Sequence, residues 1–428
     1  MDTKDQIIWD VAVIGGGPAG MMAAGRAAEL GSKVLLLEKN KSLGQKLLIT
    51  GGGRCNVTNA EPDIRKLLAK FKESDQFLFS AFSQWDNMDT IKFFNNLGVH
   101  TKIENENRVF PESNSSQSIW DALVGYIEKH GVHVETNSTV EGFSVEGGSI
   151  QSVRLSNGQE IKARSFILAT GGKSRPETGS TGEGFKWLRE IGHTVIESNA
   201  ALVPITTKEE WVKRLAGISL PLVKITLLQN EIKQEIQKGK ILFTHVGLSG
   251  PTILNMSRDI SELLKYGQVL VSLDLLPDLD PGQLNEELQN IFKTENAKKL
   301  KNSLHSLVPS ALAKAVIEQS EIDGETPCHS VSREDRLKLV EKFKDIRTEV
   351  TGLLGVEKAV VTSGGADLKE IDFKTMRSKL FPNLSIIGDV LNIDRPSGGY
   401  SLQLCWTTGF VAGTSASSTN EVFNLSGS

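Results

Sequence analysis

Three groups of residues have the types and spacing that chemistry needs. Gly15, Gly17 and Gly20 are spaced G-x-G-x-x-G, and the carboxylate Glu38 follows at the end of a second apolar run. Glycines so placed let the backbone turn tightly, approach a diphosphate and pack a helix on a strand. The acid accepts ribose hydroxyls and repels a 2′-phosphate. Arg54 and Cys55 close a glycine-rich loop, Lys46-Leu47-Leu48-Ile49-Thr50-Gly51-Gly52-Gly53-Arg54-Cys55-Asn56-Val57-Thr58-Asn59. There the guanidinium can balance an anion or hold a substrate oxygen, or can simply tie the loop down, and the thiol can react or pack. His245, in the stretch Phe243-Thr244-His245-Val246-Gly247-Leu248-Ser249-Gly250-Pro251, is a candidate acid or base near neutral pH, against the plainer role of a structural hydrogen-bonder. Tyr400 can cover a planar ring, bond to substrate or pack, and Lys46 and Lys173 read as solvated-face lysines with a lesser claim to an anion.

These residues need elements to position them. Residues 11–14 form a short apolar run expected to be a buried parallel strand, residues 21–30 are alanine-rich and helical in character, and residues 34–37 form the second strand that ends in Glu38-Lys39. A bare G-x-G-x-x-G is weak, and a ligand-free glycine turn is its alternative. Within strand–turn–helix–strand it predicts a dinucleotide site whose phosphates meet the free N–H groups of the helix start. Two later segments shift the reading from NAD to FAD. Ile167-Leu168-Ala169-Thr170-Gly171-Gly172 returns a buried strand to the same sheet. Leu384-Ser385-Ile386-Ile387-Gly388-Asp389-Val390 is a second short strand, whose Asp389 would bond ribityl hydroxyls while Gly388 leaves room. Either alone also reads as a β-turn; in this order they match an extended FAD. The expected cofactor contacts are Gly15, Gly17, Ala19, Gly20, Glu38, Lys39, Gly53, Arg54, Cys55, Val140, Thr170, Gly171, Gly172, Gly388, Asp389, Gly398, Gly399 and Tyr400, and the candidate catalytic residues are His245, Arg54 and Cys55. No second G-x-G-x-x-G sits in its own βαβ unit, so NADH or NADPH is expected only as a transient electron donor reaching the flavin from the substrate side.

At 428 residues the chain exceeds one ordinary core, so two or three domains are expected. A formal net charge of −4 argues against gross polyanion binding. No run approaches the roughly 18 apolar residues of a membrane span. The N-terminus leads into the first strand with no apolar leader, and Cys55, Cys328 and Cys405 form no CxxC pair. A cytoplasmic protein without a disulfide framework is the expectation, and the scattered histidines and cysteines predict no metal site. Helices are expected at residues 63–72, 87–97 and 116–130. Strands are expected at 132–136, 140–146 and 150–155, with Asn157-Gly158 turning into 160–163. From about residue 201 short alternating strands appear, at 202–206, 223–228 and 269–273, and residues 281–345 are helical in period. The expected organisation is an FAD-binding domain in two parts, 1–205 and 351–428, around an inserted β-rich domain at 206–280 and a helical part at 281–350, with the tail after Thr414 partly frayed. Lys293 and Lys298-Lys299-Leu300-Lys301-Asn302 form a basic stretch that reads as a solvated helix face or as a contact to phosphates.

As an ordered set, several motifs carry a resemblance. They are the first glycine fingerprint, the Lys46–Asn59 loop, Ala169-Thr170-Gly171-Gly172-Lys173-Ser174-Arg175-Pro176 with Thr178-Gly179-Ser180-Thr181-Gly182-Glu183-Gly184, and the His245 stretch. To these are added Val361-Thr362-Ser363-Gly364-Gly365, Thr375-Met376-Arg377-Ser378-Lys379, and the segment from Gly388-Asp389 through Gly398-Gly399-Tyr400. With these the chain resembles the BaiN-like family of FAD-dependent oxidoreductases over nearly its whole length. The resemblance implies an α/β fold: a Rossmann-like FAD-binding domain of the two-dinucleotide-binding type with an inserted β-barrel-like domain and a small helical domain. It departs from the family at Asp389, where Glu is common, at Asn392 and Glu183, where Asp is common, and at Ser401, where Asn is common. The activities it implies are enone reduction, oxidation of a small amine and reduction of uridine to dihydrouridine in ribosomal RNA. The expected function is reduction of an activated C=C bond with the flavin as hydride carrier. Alternatives are a dihydrouridine-forming reductase acting on ribosomal RNA, a small-amine oxidase and a non-catalytic flavin redox sensor. The expected partner is a small-molecule substrate or ribosomal RNA, not a membrane.

Overall fold

The computed structural model describes residues 8–197, 202–264, 266–354 and 364–425. Residues 361–363 of one resemblance motif therefore lie outside the described residues. The chain divides into two compact units, Met1–Ala201 with Val360–Ser428, and Leu202–Ala359.

The first unit opens with β1 (Ile8–Ile14), β2 (Val34–Leu37), β3 (Thr58–Asn59), β4 (Thr101–Glu104), β5 (Arg108–Pro111), β6 (His133–Glu135), β7 (Val140–Glu146), β8 (Ser149–Leu155), β9 (Glu160–Leu168) and β10 (Val195–Glu197). Strands β6, β2, β1 and β9 run parallel in that order, and β9 also opens an antiparallel meander with β8 and β7. Val11–Ile14, Val34–Leu37 and Phe166–Leu168 are unbroken apolar runs because these strands are covered on both faces, and all are buried. Register matters more than strand count here. Ile14 pairs with Leu37 on one side and Leu168 on the other, so Gly15, Glu38 and Ala169-Thr170 emerge together at the carboxyl end of the sheet, where open α/β sheets bind ligands.

The second unit contains β11 (Ile205–Thr207), β12 (Ser219–Gln229), β13 (Ile232–Thr244), β14 (Gly247–Ser249), β15 (Val269–Asp274) and β16 (Ile346–Leu353), closed into a barrel in the order β11-β14-β13-β12-β15-β16. Ile225, Leu227, Ile241, Phe243, Val271 and Leu273 point into its core. Helices Pro281–Thr294, Ser310–Gln319 and Arg333–Lys344 are carried between β15 and β16. One expectation is corrected here. The helical part does not reach residue 350: it ends at Lys344, and the alternation of buried Ile346, Thr348 and Val350 makes the rest a barrel strand. Within the His245 stretch, Gly247–Ser249 is a strand paired to both β13 and β11.

The chain then returns to the first unit. There β17 (Gly364–Ala366) pairs with β10, and β18 (Leu384–Ile386) lies parallel to the end of β9 with Ile386 opposite Leu168. That register delivers Asp389 to the same end of the same sheet. A helix, Tyr400–Leu425, follows; it continues well past Thr414, where fraying was expected. It seats closely on the first helix, Pro18–Glu29. A Cβ at Gly409 would stand 2.6 Å from the Ala19 carbonyl oxygen, and one at Gly413 2.5 Å from that of Ala23. Among the described residues no helix is long and apolar enough to cross a membrane.

Candidate cofactor site

The three fingerprint glycines are needed for different reasons. Gly15 has φ +106°, and a Cβ there would lie 2.6 Å from the Ala169 carbonyl oxygen, while one at Gly20 would lie 1.9 Å from that of Gly15. Both are demanded by the protein's own backbone. Gly17 is not: its φ is −77°, and nothing lies within 4 Å of a Cβ placed on it. The space it keeps open therefore serves something other than the fold. It lies at the start of the first helix, where Pro18 occupies the first turn and no side chain caps the free N–H groups. An anion is what such a start accepts.

Glu38 is 8% exposed and held by two backbone donors: Gly16 N–H gives to Oε2 at 2.8 Å and Asn40 N–H to Oε1 at 2.8 Å. Each oxygen keeps a second lone pair, and the pair of them matches a vicinal diol. Backbone bonds tie this residue to the neighbouring segment, Glu38 N–H to Glu135 O and Ser138 N–H to Glu38 O, each 2.9 Å. Val140 is buried at the start of β7 just beyond. Lys39 points its charge elsewhere, donating to Glu183 Oε2 and Thr181 Oγ1, each at 2.8 Å.

At the end of β9, Thr170 Oγ1 is buried without a hydrogen-bond partner, and Gly171, with φ +72°, sets the turn into Gly172. Beside it, Gly388 (φ +64°) donates its N–H to Thr408 Oγ1 at 3.1 Å, and Asp389 is bonded by Arg395 and faced by Lys46. Gly399, at φ +100°, lies against β3, for a Cβ there would come within 2.3 Å of the Thr58 carbonyl; Gly398 precedes it. Tyr400 is buried edge-on against Phe71, with ring centroids 6.0 Å apart, and burial pushes its phenol up. Of its possible roles, packing is the one displayed. An open diphosphate cradle, a diol-matching carboxylate, a carboxylate at the β18 end and an orphaned hydroxyl together fit an FAD.

In the glycine loop both candidate residues are engaged by the protein itself. Arg54 donates to Glu104 Oε1 at 2.5 Å and to Asn114 Oδ1 at 2.6 Å, and lies 4.1 Å over the Phe110 ring. It ties the loop to the β4–β5 hairpin, and its hydrogen bond holds the Glu104 carboxyl below its usual range. Cys55 is fully buried in the core, at φ +60°, and burial pushes its thiol up to about 12. A thiol so held is protonated at neutral pH, as in a residue that packs. Gly53 (φ +85°) has nothing within 4 Å of a Cβ, so the loop backbone there is open to close approach. His245 lies in the second unit, exposed in the two-residue turn between β13 and β14. Lys173 stands 6.0 Å over the Phe185 ring. Sequence reasoning missed Arg395 and Ser174 and read Lys46 as solvated. Only the fold brings Lys46 to Ser174 and Asp389, and no local pattern announces that pairing.

Residues 9–415 match the family model described as the HI0933-like protein Rossmann domain. The chain is 32% identical to a ribosomal RNA dihydrouridine synthase of Escherichia coli, over 94% of this chain and 96% of that one. It is 28% identical to a 3-dehydro-bile acid delta(4,6)-reductase of Clostridium scindens, over 95% and 98%. Among solved structures, the 3-ketosteroid delta1-dehydrogenase of Sterolibacterium denitrificans superposes with a TM-score of 0.55 at 14% identity, covering 96% of this chain and 100% of that one; this is a likeness of fold.

Proposed function

The chain belongs to the HI0933-like Rossmann family of FAD-dependent oxidoreductases, and from that premise we propose that it reduces a C=C bond conjugated to a carbonyl. One observation carries this reading. Two relatives that match almost end to end bear different names, yet both names describe saturation of such a bond, in a 3-oxo steroid and in a uracil ring. FAD, when bound, would supply the hydride. The chain's own residues would hold it: Glu38 at the ribose, the uncapped start of the first helix at the diphosphate and Asp389 at a ribityl hydroxyl. Hydride addition at one carbon leaves its neighbour needing a proton, and His245, an exposed imidazole, is the proposed donor.

The identity to the Escherichia coli protein favours a second reading, with ribosomal RNA as the substrate. The basic stretch offers it little. Lys298 pairs with Glu295, and Lys299 and Lys301 both pair with Glu325, whose carboxyl they hold down at about 2. The deciding experiment is anaerobic. Enzyme reduced by NADH, NADPH or dithionite is mixed with a steroid enone or with ribosomal RNA lacking dihydrouridine. Return of the oxidised flavin spectrum with a saturated product supports the reading, and the substrate that does it selects between steroid-like molecule and RNA. Flavin that neither substrate reoxidises, but that a small amine bleaches from its oxidised form, refutes it in favour of an oxidase.

A further inference from the structure

The ion cluster around Asp389 holds more positive charge than one carboxylate needs. Arg395 bonds Oδ1, and Lys46 Nζ lies 3.7 Å from Oδ2. The two cations are held differently. The Arg395 side chain is fully buried, and its guanidinium is also committed to Ser401 Oγ at 3.1 Å and to the Ile393 carbonyl at 2.6 Å. It is fixed in place as the partner of Asp389. The Lys46 side chain is 23% exposed, donates to Ser174 Oγ at 2.5 Å and stands off Asp389 at more than hydrogen-bond length. Asp389 and its two cations together carry one net positive charge.

That charge lies beside the start of the first helix. Gly44, two residues before Lys46, donates its N–H to Gly16 O at 2.9 Å. On the other flank a Cβ at Gly388, next to Asp389, would be 3.0 Å from the Ala19 Cβ. The helix start is uncapped, and Gly17 keeps space open there. A helix terminus supplies only about half a positive charge. The diphosphate of FAD carries about two negative charges, so a full ammonium within reach is what the site otherwise lacks.

We propose that Lys46 is a ligand of the FAD diphosphate: its ammonium turns from Asp389 to the phosphates when the cofactor binds. Arg395 stays on Oδ1, so Asp389 is never left without a counter-ion, and Oδ2 becomes available to a ribityl hydroxyl. This goes beyond the proposed reaction and does not depend on which double bond is reduced.

The test is binding of FAD, ADP and adenosine to flavin-stripped full-length protein, followed by flavin fluorescence and calorimetry. The K46M variant is expected to weaken FAD and ADP alike, by about 10- to 100-fold for the loss of one charge-assisted contact. Adenosine should bind it as it binds the wild type, K46R should retain most of the affinity, and the loss for ADP should persist in a D389N background. Unchanged ADP affinity in K46M overturns the proposal. So does a loss that disappears in D389N, because Lys46 would then serve only as the counter-ion of Asp389. Should K46M fail to fold by circular dichroism, K46Q carries the same comparison with a neutral polar head in place of the ammonium. Wild-type protein that binds no FAD would instead refute the cofactor itself, a different result.

Discussion

A carboxylate whose two oxygens are each pinned by a backbone N–H presents its remaining lone pairs at a fixed spacing, without side-chain entropy to lose on binding. Glu38 is so placed, and Glu38→Ala should weaken FAD binding by about 1–3 kcal/mol, read as the dissociation constant from fluorescence quenching. Adenosine affinity should fall with it, since the contact lies in the half the two ligands share. The thiols lead to the opposite expectation. Cys55, Cys328 and Cys405 are all free and buried, and burial pushes both Cys55 and Cys405 up to about 12. Native protein should therefore react with almost no aromatic disulfide reagent at neutral pH and release three equivalents once unfolded. Rapid native labelling at Cys55 would restore it as a candidate nucleophile. His245→Ala should slow the half-reaction with substrate by roughly 10²–10⁴-fold while leaving the flavin spectrum intact. An unchanged rate removes it from the chemistry. Residues whose role depends on local spacing, such as Gly15, Gly20 and Glu38, were legible in the sequence. Arg54 was less so, because its partner Glu104 comes from a hairpin that the sequence hides and Asn114 from the turn that follows it.

The elements show why. Strands β1, β2 and the end of β9 announce themselves as unbroken apolar runs because they are buried on both faces. The β4 strand Thr101-Lys102-Ile103-Glu104 is polar and largely uncovered, with Ile103 62% exposed, so no burial pattern marks it. The C-terminal helix was hidden differently. Its Ser-, Thr- and Gly-rich composition reads as a tail, yet Gly409 and Gly413 are what let it approach the first helix at backbone contact. Small residues one turn apart form a groove for the facing ridge, and the stability they confer is invisible to helix propensity alone. Gly413→Leu would drive a side chain into the Ala23 carbonyl and Arg26. It is expected to cost about 1–3 kcal/mol by overpacking, and to lower the melting temperature and the FAD content of purified protein together. The two should fall together because the facing helix is the one whose first turn is proposed to receive the diphosphate. A Gly413→Leu variant with wild-type stability would show that the approach of these helices is incidental.

At the scale of the whole molecule, the described residues form two hydrophobic cores rather than one. The first contains Val11, Leu36, Phe166 and Trp406, and the second Ile225, Phe243, Val271, Leu312 and Phe343. The residues that fit FAD all belong to the first unit, and they come from both ends of the sequence, since β18 and the C-terminal helix complete a sheet that β1 begins. A ligand stabilises only the cooperative unit that binds it, by about 2.7 kcal/mol when its free concentration is 100 times its dissociation constant. For a unit of this size that corresponds to a rise of roughly 5–10 °C in the melting temperature. Calorimetry of the flavin-stripped protein should therefore show two overlapping transitions. Added FAD should move one upward by that amount and leave the transition of the barrel unit in place. The barrel transition can be identified by Trp211→Phe, which changes the fluorescence of a buried core residue of that unit alone. A single transition that FAD shifts as a whole would mean that the two cores melt as one cooperative unit, and an FAD-induced rise confined to the barrel transition would place the cofactor site outside the first unit.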